Sequence, residues 1–405
     1  MSKVYKAKQL NKDVLTLAKE RIYKAFEIFD HVCVSFSGGK DSTVCLMLTY
    51  EIAKELGRLP LDVVFYDEEA IPYETEEYAR RVSQMEGISF RWFCLPVVHR
   101  NACSRKQPYW NPWNPKEEDK WVRPLPPEAI TYKDIPNYKV LPIPQLNGML
   151  FPPSEYGSTG LVMGIRAQES LSRRRAVSMK IKENYISPST GETDKGNVWK
   201  VYPIYDWYTE DVWTAPKKFG WDYNKAYDVM EKAGIKHNQQ RCAPPYGEEP
   251  LGGLYLFKTC FPDIWDKMSE RVPGANTAAM YARTELYSFG KKAVRPEGMT
   301  WEEAINYYIK KFDDNSQKMI AKRIQDEIKL HYKKTKDPIL DTTPHYDTGL
   351  SWDFLLMLAQ RGDFKGRRSP LHKVDYENRH KAKEKYYKAL EEKLKEDPNY
   401  AKRNR

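Results

Sequence analysis

The sequence runs to 405 residues, with 41% hydrophobic residues and a formal net charge of +10. That is enough apolar material for a sizeable core and enough length for two or three domains of roughly 150 residues, and it excludes a disordered chain. Apolar runs fall far short of the ~20 residues of a membrane span, the opening MSKVYKAKQLNKD has no signal-peptide core, and six cysteines form no CxxC pair. A cytoplasmic protein without a disulfide framework is expected.

In chain order, 14-VLTLAKERIYKAFEI-28 has apolar residues at helical spacing. A buried strand is expected at 32–36, then a helix over 42–57 ending at Gly57, a second strand at 61–66, a helix over 74–86 and a third strand at 88–95. Strand–helix alternation with short turns predicts an α/β fold with a doubly wound parallel sheet. Between about 100 and 155 the pattern breaks, and 107-QPYWNPWNPKEEDKWVRPLPPE-128 is too rich in Pro and Trp for a regular element. Trp110, Trp113 and Trp121 read either as packing anchors or as stacking surfaces of a lid. A strand returns at 161–165, a β-like piece at 198–204, and 205-YDWYTEDVW-213 opens a helix in which Asp206 and Asp211 are expected as capping groups. From 222 onward the pattern is mainly helical, with segments 300–312, 314–334 and 375–396. The expected division is residues 1–260, an α/β domain with an insertion, and 261–405, a helical C-terminal region.

The chemistry concentrates at 37-SGGKDS-42, between the first strand and its helix. A helix N-terminus leaves N–H groups unpaired and carries positive potential, so it suits a phosphate. Gly38 and Gly39 let the oxygens approach the backbone, Lys40 adds a point charge, and Ser37 and Ser42 add hydroxyls. The spacing is not the Walker GxxxxGK[ST], and no GxGxxG follows the strand. The acidic turn 67-DEEA-70 falls on the same sheet edge, where α/β proteins bind ligands.

SGGKDS resembles the pyrophosphate loop of the N-type ATP pyrophosphatase (PP-loop) superfamily. Asp67 with 74-ET-75, 164-GIRAQESLSRR-174 and 203-PIYDWYTEDVW-213 resemble, in order, further motifs of its phosphoadenosine phosphosulfate reductase branch. The likeness covers roughly residues 20–270, and the length, insertion and helical C-terminal part look most like the IbrA-like, regulator-type proteins of bacteria and mobile elements. It implies an adenine nucleotide alpha hydrolase-like fold that binds ATP, or a related adenine nucleotide, with Mg2+. On that reading Ser37, Gly38, Gly39, Lys40, Asp41, Ser42, Asp67, Gly164, Arg166 and Arg173 bind the nucleotide. Lys40 and Arg166 are the catalytic candidates, Arg166 because a guanidinium directly after a strand end suits phosphate oxygens. Glu69, Glu169, Ser170 and Trp207 support them. Asp67 and Glu69 read either as orienting a metal or a ribose or as an acidic turn cap, and Glu169 either as a ligand orienter or as a partner for Arg173. No metal ligand is identified.

The reductases of this branch use a C-terminal cysteine as nucleophile, and here no cysteine follows Cys260. The paired cysteines of an iron–sulfur cluster are absent as well, so no cluster is expected. Cys242, beside Arg241, is the one cysteine in a polar, loop-like setting. The expectation is therefore cleavage of ATP between its α- and β-phosphates, by hydrolysis or by adenylyl transfer to an acceptor that the sequence does not name. A nucleotide-sensing regulatory module without turnover is the alternative, with sulfonucleotide reduction behind it. Residues 361–405 hold 15 Lys and Arg against 8 Asp and Glu, which reads as a solvated helix or as a contact for a protein or nucleic acid.

Overall fold

In the computed structural model, residues 12–104, 106–169, 173, 185–189, 195–237, 239–244, 246, 252–281, 294–362, 369–374 and 378–403 are described. They form two compact units, Met1–Ala282 and Arg283–Arg405.

The first unit is built on a six-stranded sheet. Its elements are α1 (Val14–Ile28), β1 (His31–Phe36), α2 (Lys40–Glu55), β2 (Leu61–Tyr66), α3 (Tyr73–Ser83), β3 (Ile88–Phe93), β4 (Thr159–Met163), β5 (Ile186–Pro188), β6 (Val198–Val201), α4 (Thr209–Phe219) and α5 (Ala226–Lys232). The strand order is β3-β2-β1-β4-β6-β5. All neighbours are parallel except β5, which runs antiparallel to β6. This is the expected mostly parallel sheet with flanking helices, and only the short antiparallel edge strand β5 was not foreseen. Alternate residues of β1 face opposite cores. Val32, Val34 and Phe36 pack with Phe65, Leu46, Leu48 and Tyr78 under the helices. Cys33 packs with Val64, Phe93 and Leu161 against Leu146, Leu150 and Phe151, which belong to the irregular stretch between β3 and β4. That stretch thus closes one face of the sheet. Cys33 and Cys45 are fully buried, as their apolar runs suggest.

Asp211 caps α4 as expected, its carboxylate accepting the Tyr208 N–H at 2.7 Å. Asp206 does not cap a helix. Its two oxygens accept from the two terminal nitrogens of Arg21, each at 2.7 Å, and Arg21 also donates to the Pro203 carbonyl at 2.7 Å. The Arg21 guanidinium stacks 4.3 Å from the centre of the Tyr205 ring. One residue of α1 thereby orders the turn between β6 and α4. Trp207 adds a second tie, its indole N–H reaching the Val14 carbonyl at 3.0 Å.

The second unit contains α9 (Trp301–Ile309), α10 (Asp314–Lys334), α11 (Trp352–Arg361) and α12 (Arg379–Glu396), while α6 (Gly252–Cys260), α7 (Pro262–Arg271) and α8 (Ala275–Tyr281) complete the first. Ala304, Ile305, Ile320, Ile324, Leu355 and Leu358 form the core of the second unit. The basic α12 buries Tyr386 and leaves most of its other residues exposed. Among the described residues, no helix is long and apolar enough to cross a membrane.

The Arg21–Asp206 pair yields a stability prediction. Arg21→Met leaves a buried carboxylate without its partner and should lower unfolding stability of the first unit by about 3–5 kcal/mol, read by urea denaturation. Adding Asp206→Leu should recover a large part of that loss, and a single variant as stable as the parent would show the pair to be dispensable.

Candidate functional site

The loop after β1 is shaped by two close approaches. Gly38 has φ +70°, and a Cβ there would stand 2.7 Å from Cγ2 of Thr75. Gly164, just past β4, faces the first turn of α2, and a Cβ would lie 2.6 Å from the Asp41 carbonyl carbon and 2.7 Å from the Ser42 nitrogen. Neither contact leaves room for a side chain. The loop is braced internally by the Ser42 hydroxyl, which donates to the Gly39 carbonyl at 2.9 Å and accepts from the Ser37 N–H at 3.2 Å. The N-cap of α2 is Gly39, which has no side chain to cap the helix. The first-turn N–H groups are therefore left to other acceptors. One of them is taken from an unforeseen quarter, because Lys40 N–H donates to the Tyr227 hydroxyl of α5 at 2.9 Å.

Lys40 and Asp41 of the loop come together with Arg166, which belongs to a second, distant motif of the sequence. The Lys40 ammonium lies 3.1 Å from one oxygen of Asp41, and the Arg166 Nε bonds the other. Burial pushes the Asp41 carboxyl up, but the Lys40 and Arg166 charges outweigh it and hold the group below the usual carboxylate range. Arg166 is 2% exposed and also donates to Gln168 at 3.1 Å and to the Thr209 hydroxyl at 3.4 Å. Gln168 in turn accepts the N–H of Thr209 at 2.9 Å, which brings the start of α4 to the same place. The N-termini of α2 and α4 thus converge on a cleft of about 740 Å³. Lys40, Arg166, Lys236 and Arg241 line it against three carboxylates, Glu169, Glu210 and Glu231. Converging helix N-termini and this cation surplus favour an anion.

The other candidate residues have more local duties. Glu169 accepts from Arg173, the pairing anticipated as one of its two readings, and lies 3.8 Å from Arg241. Arg173 is thereby tied to a residue of the cleft wall, whereas Ser170, Arg174 and Arg175 lie outside the described residues. Trp207 is core, bonded to α1 and away from the cleft lining.

Asp67 and Glu69 turn to the insertion. Asp67 accepts from Trp92 Nε1 at 2.9 Å and from Arg123, and its carbonyl accepts from Trp113 Nε1 at 2.8 Å. Glu69, fully buried with φ +66°, accepts from Trp113 N–H at 2.7 Å, Val122 N–H at 3.1 Å and Arg271 Nε at 3.1 Å. Trp110 and Trp113 are buried and Trp121 packs edge-on against Trp113, so the tryptophans are packing anchors. The acidic turn cap is what the hydrogen bonds describe.

Several residues of the site escape a reading of the sequence. Asn224 donates its amide to the Gly38 carbonyl at 2.9 Å and to the Thr75 hydroxyl at 2.8 Å. Tyr227, Gln240 and His237 line the loop side of the molecule from a segment whose sequence carries no motif. Cys242 is not in an open polar loop; it is 3% exposed, hydrogen-bonded to Tyr227, and 3.4 Å from the Asn224 amide. Burial pushes its thiol up to about 11, against the hydrogen bond from Tyr227 and the Lys40 charge.

A parallel sheet whose first strand passes a Ser-Gly-Gly-Lys-Asp-Ser loop to a helix defines the PP-loop class of α/β proteins. Residues 31–230 match the phosphoadenosine phosphosulfate reductase domain, and residues 234–343 match a domain of unknown function, DUF3440. The uncharacterized protein YbdN of Escherichia coli (strain K12) is 30% identical over 371 residues, which cover 87% of this chain and 89% of YbdN. The chain belongs to this phosphoadenosine phosphosulfate reductase-like family of PP-loop proteins. Among solved structures, Candida glabrata FMN adenylyltransferase is 14% identical, with 54% of this chain and 58% of that one covered and a TM-score of 0.35. The phosphoadenylyl-sulfate reductase of Candida auris in a phosphate complex is 14% identical over 52% of this chain and 84% of that one, at a TM-score of 0.30. The U34-tRNA thiolase NcsA of Methanococcus maripaludis, with its [4Fe-4S] cluster, is 14% identical over 71% and 84%, at 0.32. These overlays are loose, and the assignment rests on the family match.

Two outcomes follow from the geometry. Glu69→Ala removes the acceptor shared by Trp113, Val122 and Arg271, and limited proteolysis should cut within residues 107–128 several times faster than in the parent. Equal cutting rates would mean that the carboxylate does not hold the insertion. With its raised pKa, Cys242 stays a thiol until the pH nears 11, so iodoacetamide at pH 7.5 should label the half-buried Cys260 well before Cys242 in peptide mass spectra. Earlier labelling of Cys242 would overturn its assignment as an inert thiol.

Proposed function

We propose that the chain binds ATP at the 37–42 loop and cleaves it between the α- and β-phosphates. The observation that carries this reading is an α2 N-terminus whose N-cap residue, Gly39, has no side chain to offer, opening on a cleft lined by Lys40 and Arg166. An oxygen nucleophile, from water or from an acceptor, forms a bond to the α-phosphorus as the bond to the bridging oxygen breaks. The electron pair leaves with pyrophosphate, and the nucleophile's proton passes to solvent. Loop N–H groups, Lys40 and Arg166 are placed to stabilise the charge that grows on the phosphates.

Mg2+ would neutralise part of that charge when bound. Both Asp41 oxygens already face cations, and among the described residues no group of three metal-ligating side chains is placed to hold an ion. This donor set fits an ion carried mainly by the phosphates and its own waters, with Glu210 and Glu231 on the cleft wall as the carboxylates to hold those waters. Reduction through Cys242 is disfavoured, since a buried thiol with a raised pKa is a poor nucleophile.

A nucleotide-sensing role without turnover is the second reading. The Tyr227 hydroxyl on Lys40 N–H favours it, because a loop already capped from within suits a device that reports occupancy. The resemblance to IbrA-like regulators and the basic C-terminal region support it too.

Chromatography of the products after incubation with ATP and magnesium separates the two. Pyrophosphate should form, with AMP free or carried on an added acceptor, and Lys40→Ala should slow its release by roughly 10²–10³-fold, the usual loss for one charge-stabilising donor. Cys242→Ser should leave the products unchanged. Tight ATP binding with no pyrophosphate released, even with candidate acceptors added, would favour the sensor, and no binding at all would overturn both readings.

A further inference from the structure

Attack on the α-phosphorus by a water or a hydroxyl releases a proton, and a group that takes it as the new bond forms lowers the barrier. Most carboxylates of the cleft have other duties. Asp41 is held between the Lys40 ammonium and Arg166, and Glu169 accepts from Arg173 and lies 3.8 Å from Arg241. A carboxylate that balances a cation is a weak base. Glu210 opens α4, and a carboxylate is in general roughly a hundredfold weaker base than an imidazole.

Among the described residues that line the cleft, His237 is the one imidazole, and it is exposed. Its Nε2–H donates to Glu231 Oε2 at 2.9 Å. The same oxygen accepts from the buried Gln240 amide at 2.9 Å, and that amide is pinned in turn by the Ile235 carbonyl at 2.8 Å. The imidazole also rests at a tilt on the Trp213 ring of α4, with centroids 5.4 Å apart. An ionised carboxylate only accepts, so the proton of the neutral ring sits on Nε2 and the lone pair on Nδ1. Among the described residues, Nδ1 has no hydrogen-bond partner. This is the arrangement in which an acidic residue fixes the tautomer of an imidazole and steadies the imidazolium that forms.

We infer that His237 is the general base of the cleft, with Glu231 as the positioning residue that orients it. The inference rests on the ATP reading, because the proton it moves is that of the nucleophile. As the nucleophile's oxygen bonds the α-phosphorus, its O–H bond breaks toward Nδ1. The bond from phosphorus to the bridging oxygen breaks at the same time, and that electron pair leaves with pyrophosphate. The imidazolium, paired with Glu231, then passes its proton to solvent. The other charged groups of the cleft are Glu169, Glu210, Lys40, Lys236, Arg166 and Arg241. Such carboxylates ordinarily titrate near 4 and such cations above about 10, so an imidazole is the group that changes charge between them.

Two measurements on the full chain test this. Diethyl pyrocarbonate acylates a free imidazole nitrogen and should label His237 in peptide mass spectra, and saturating α,β-methylene-ATP with magnesium should slow that labelling several-fold. A bound analogue that leaves the labelling rate unchanged would put His237 out of reach of the nucleotide and overturn the inference. In the second measurement, pyrophosphate release is followed against pH with ATP, magnesium and candidate acceptors. His237→Gln should lower kcat by roughly 10²–10⁴-fold with little change in the KM for ATP. In the parent, kcat should fall as the pH drops below about 6.5, where an imidazole ordinarily gains its proton, and His237→Gln should lose that acid limb. Parental kcat in the variant, or an acid limb that survives in it, overturns the assignment. Added imidazole should restore part of the rate to His237→Gly, whose folding is checked by thermal melting, and a folded variant that does not respond would make the role of His237 structural. Failure of the ATP reading looks different: the parent then releases no pyrophosphate with any acceptor, and the base has no reaction to serve.

Discussion

Strand β4 ends where the backbone of α2 begins, and the two touch so closely that residue 164 can carry no side chain. The arrangement of the cleft follows from that contact. It brings the residue two places on, Arg166, within bonding reach of Asp41, and it fixes the loop against the sheet at the point where the helix dipole emerges. Asp41 then acts as an anionic hinge pin between two cations, Lys40 from its own helix and Arg166 from the neighbouring strand end. Cations held by an internal carboxylate are positioned before any ligand arrives, so little ordering remains to oppose binding.

The parts of this design that were legible in the sequence are those where local chemistry and position coincide. Alternating apolar runs located β1, β2 and β3 and their helices, because a buried parallel strand has to be apolar along its length. SGGKDS announced itself since a small turn, a lysine and a helix start lie within six residues. The place of Arg166 near the loop was legible because it directly follows a strand, whereas its bond to Asp41 was not. What was not legible depends on partners far away in the chain. Asp206 looked like a cap by its place before α4, yet it meets Arg21 from 185 residues earlier. Tyr227 and Asn224 reach the loop from a segment with no periodicity or motif of its own, delivered by the packing of α4 against α2 and of α5 against α3.

The acidic turn after β2 shows the same limit from the other side. Asp67 and Glu69 stand on the ligand edge of the sheet, where carboxylates suggest a metal or a ribose. The insertion supplies Arg123, Trp113 and Val122 to those oxygens instead, and α7 adds Arg271. A stretch too rich in proline to make its own hydrogen-bond ladder thus borrows acceptors from the sheet edge. It also covers one face of the sheet with Leu146, Leu150 and Phe151, so it is part of the core and not an appendage.

The Tyr227 hydroxyl on Lys40 N–H has a thermodynamic consequence. An anion that takes this donor must evict an intramolecular competitor, so its apparent dissociation constant equals the intrinsic one divided by the fraction of molecules with the donor already released. Tyr227 also walls the aromatic cavity and bonds Cys242. Any group that draws the phenol away from the loop will therefore raise phosphate affinity, and phosphate binding will by reciprocity favour that group. One phenolic oxygen thus bears on the loop, the cavity wall and Cys242 at once.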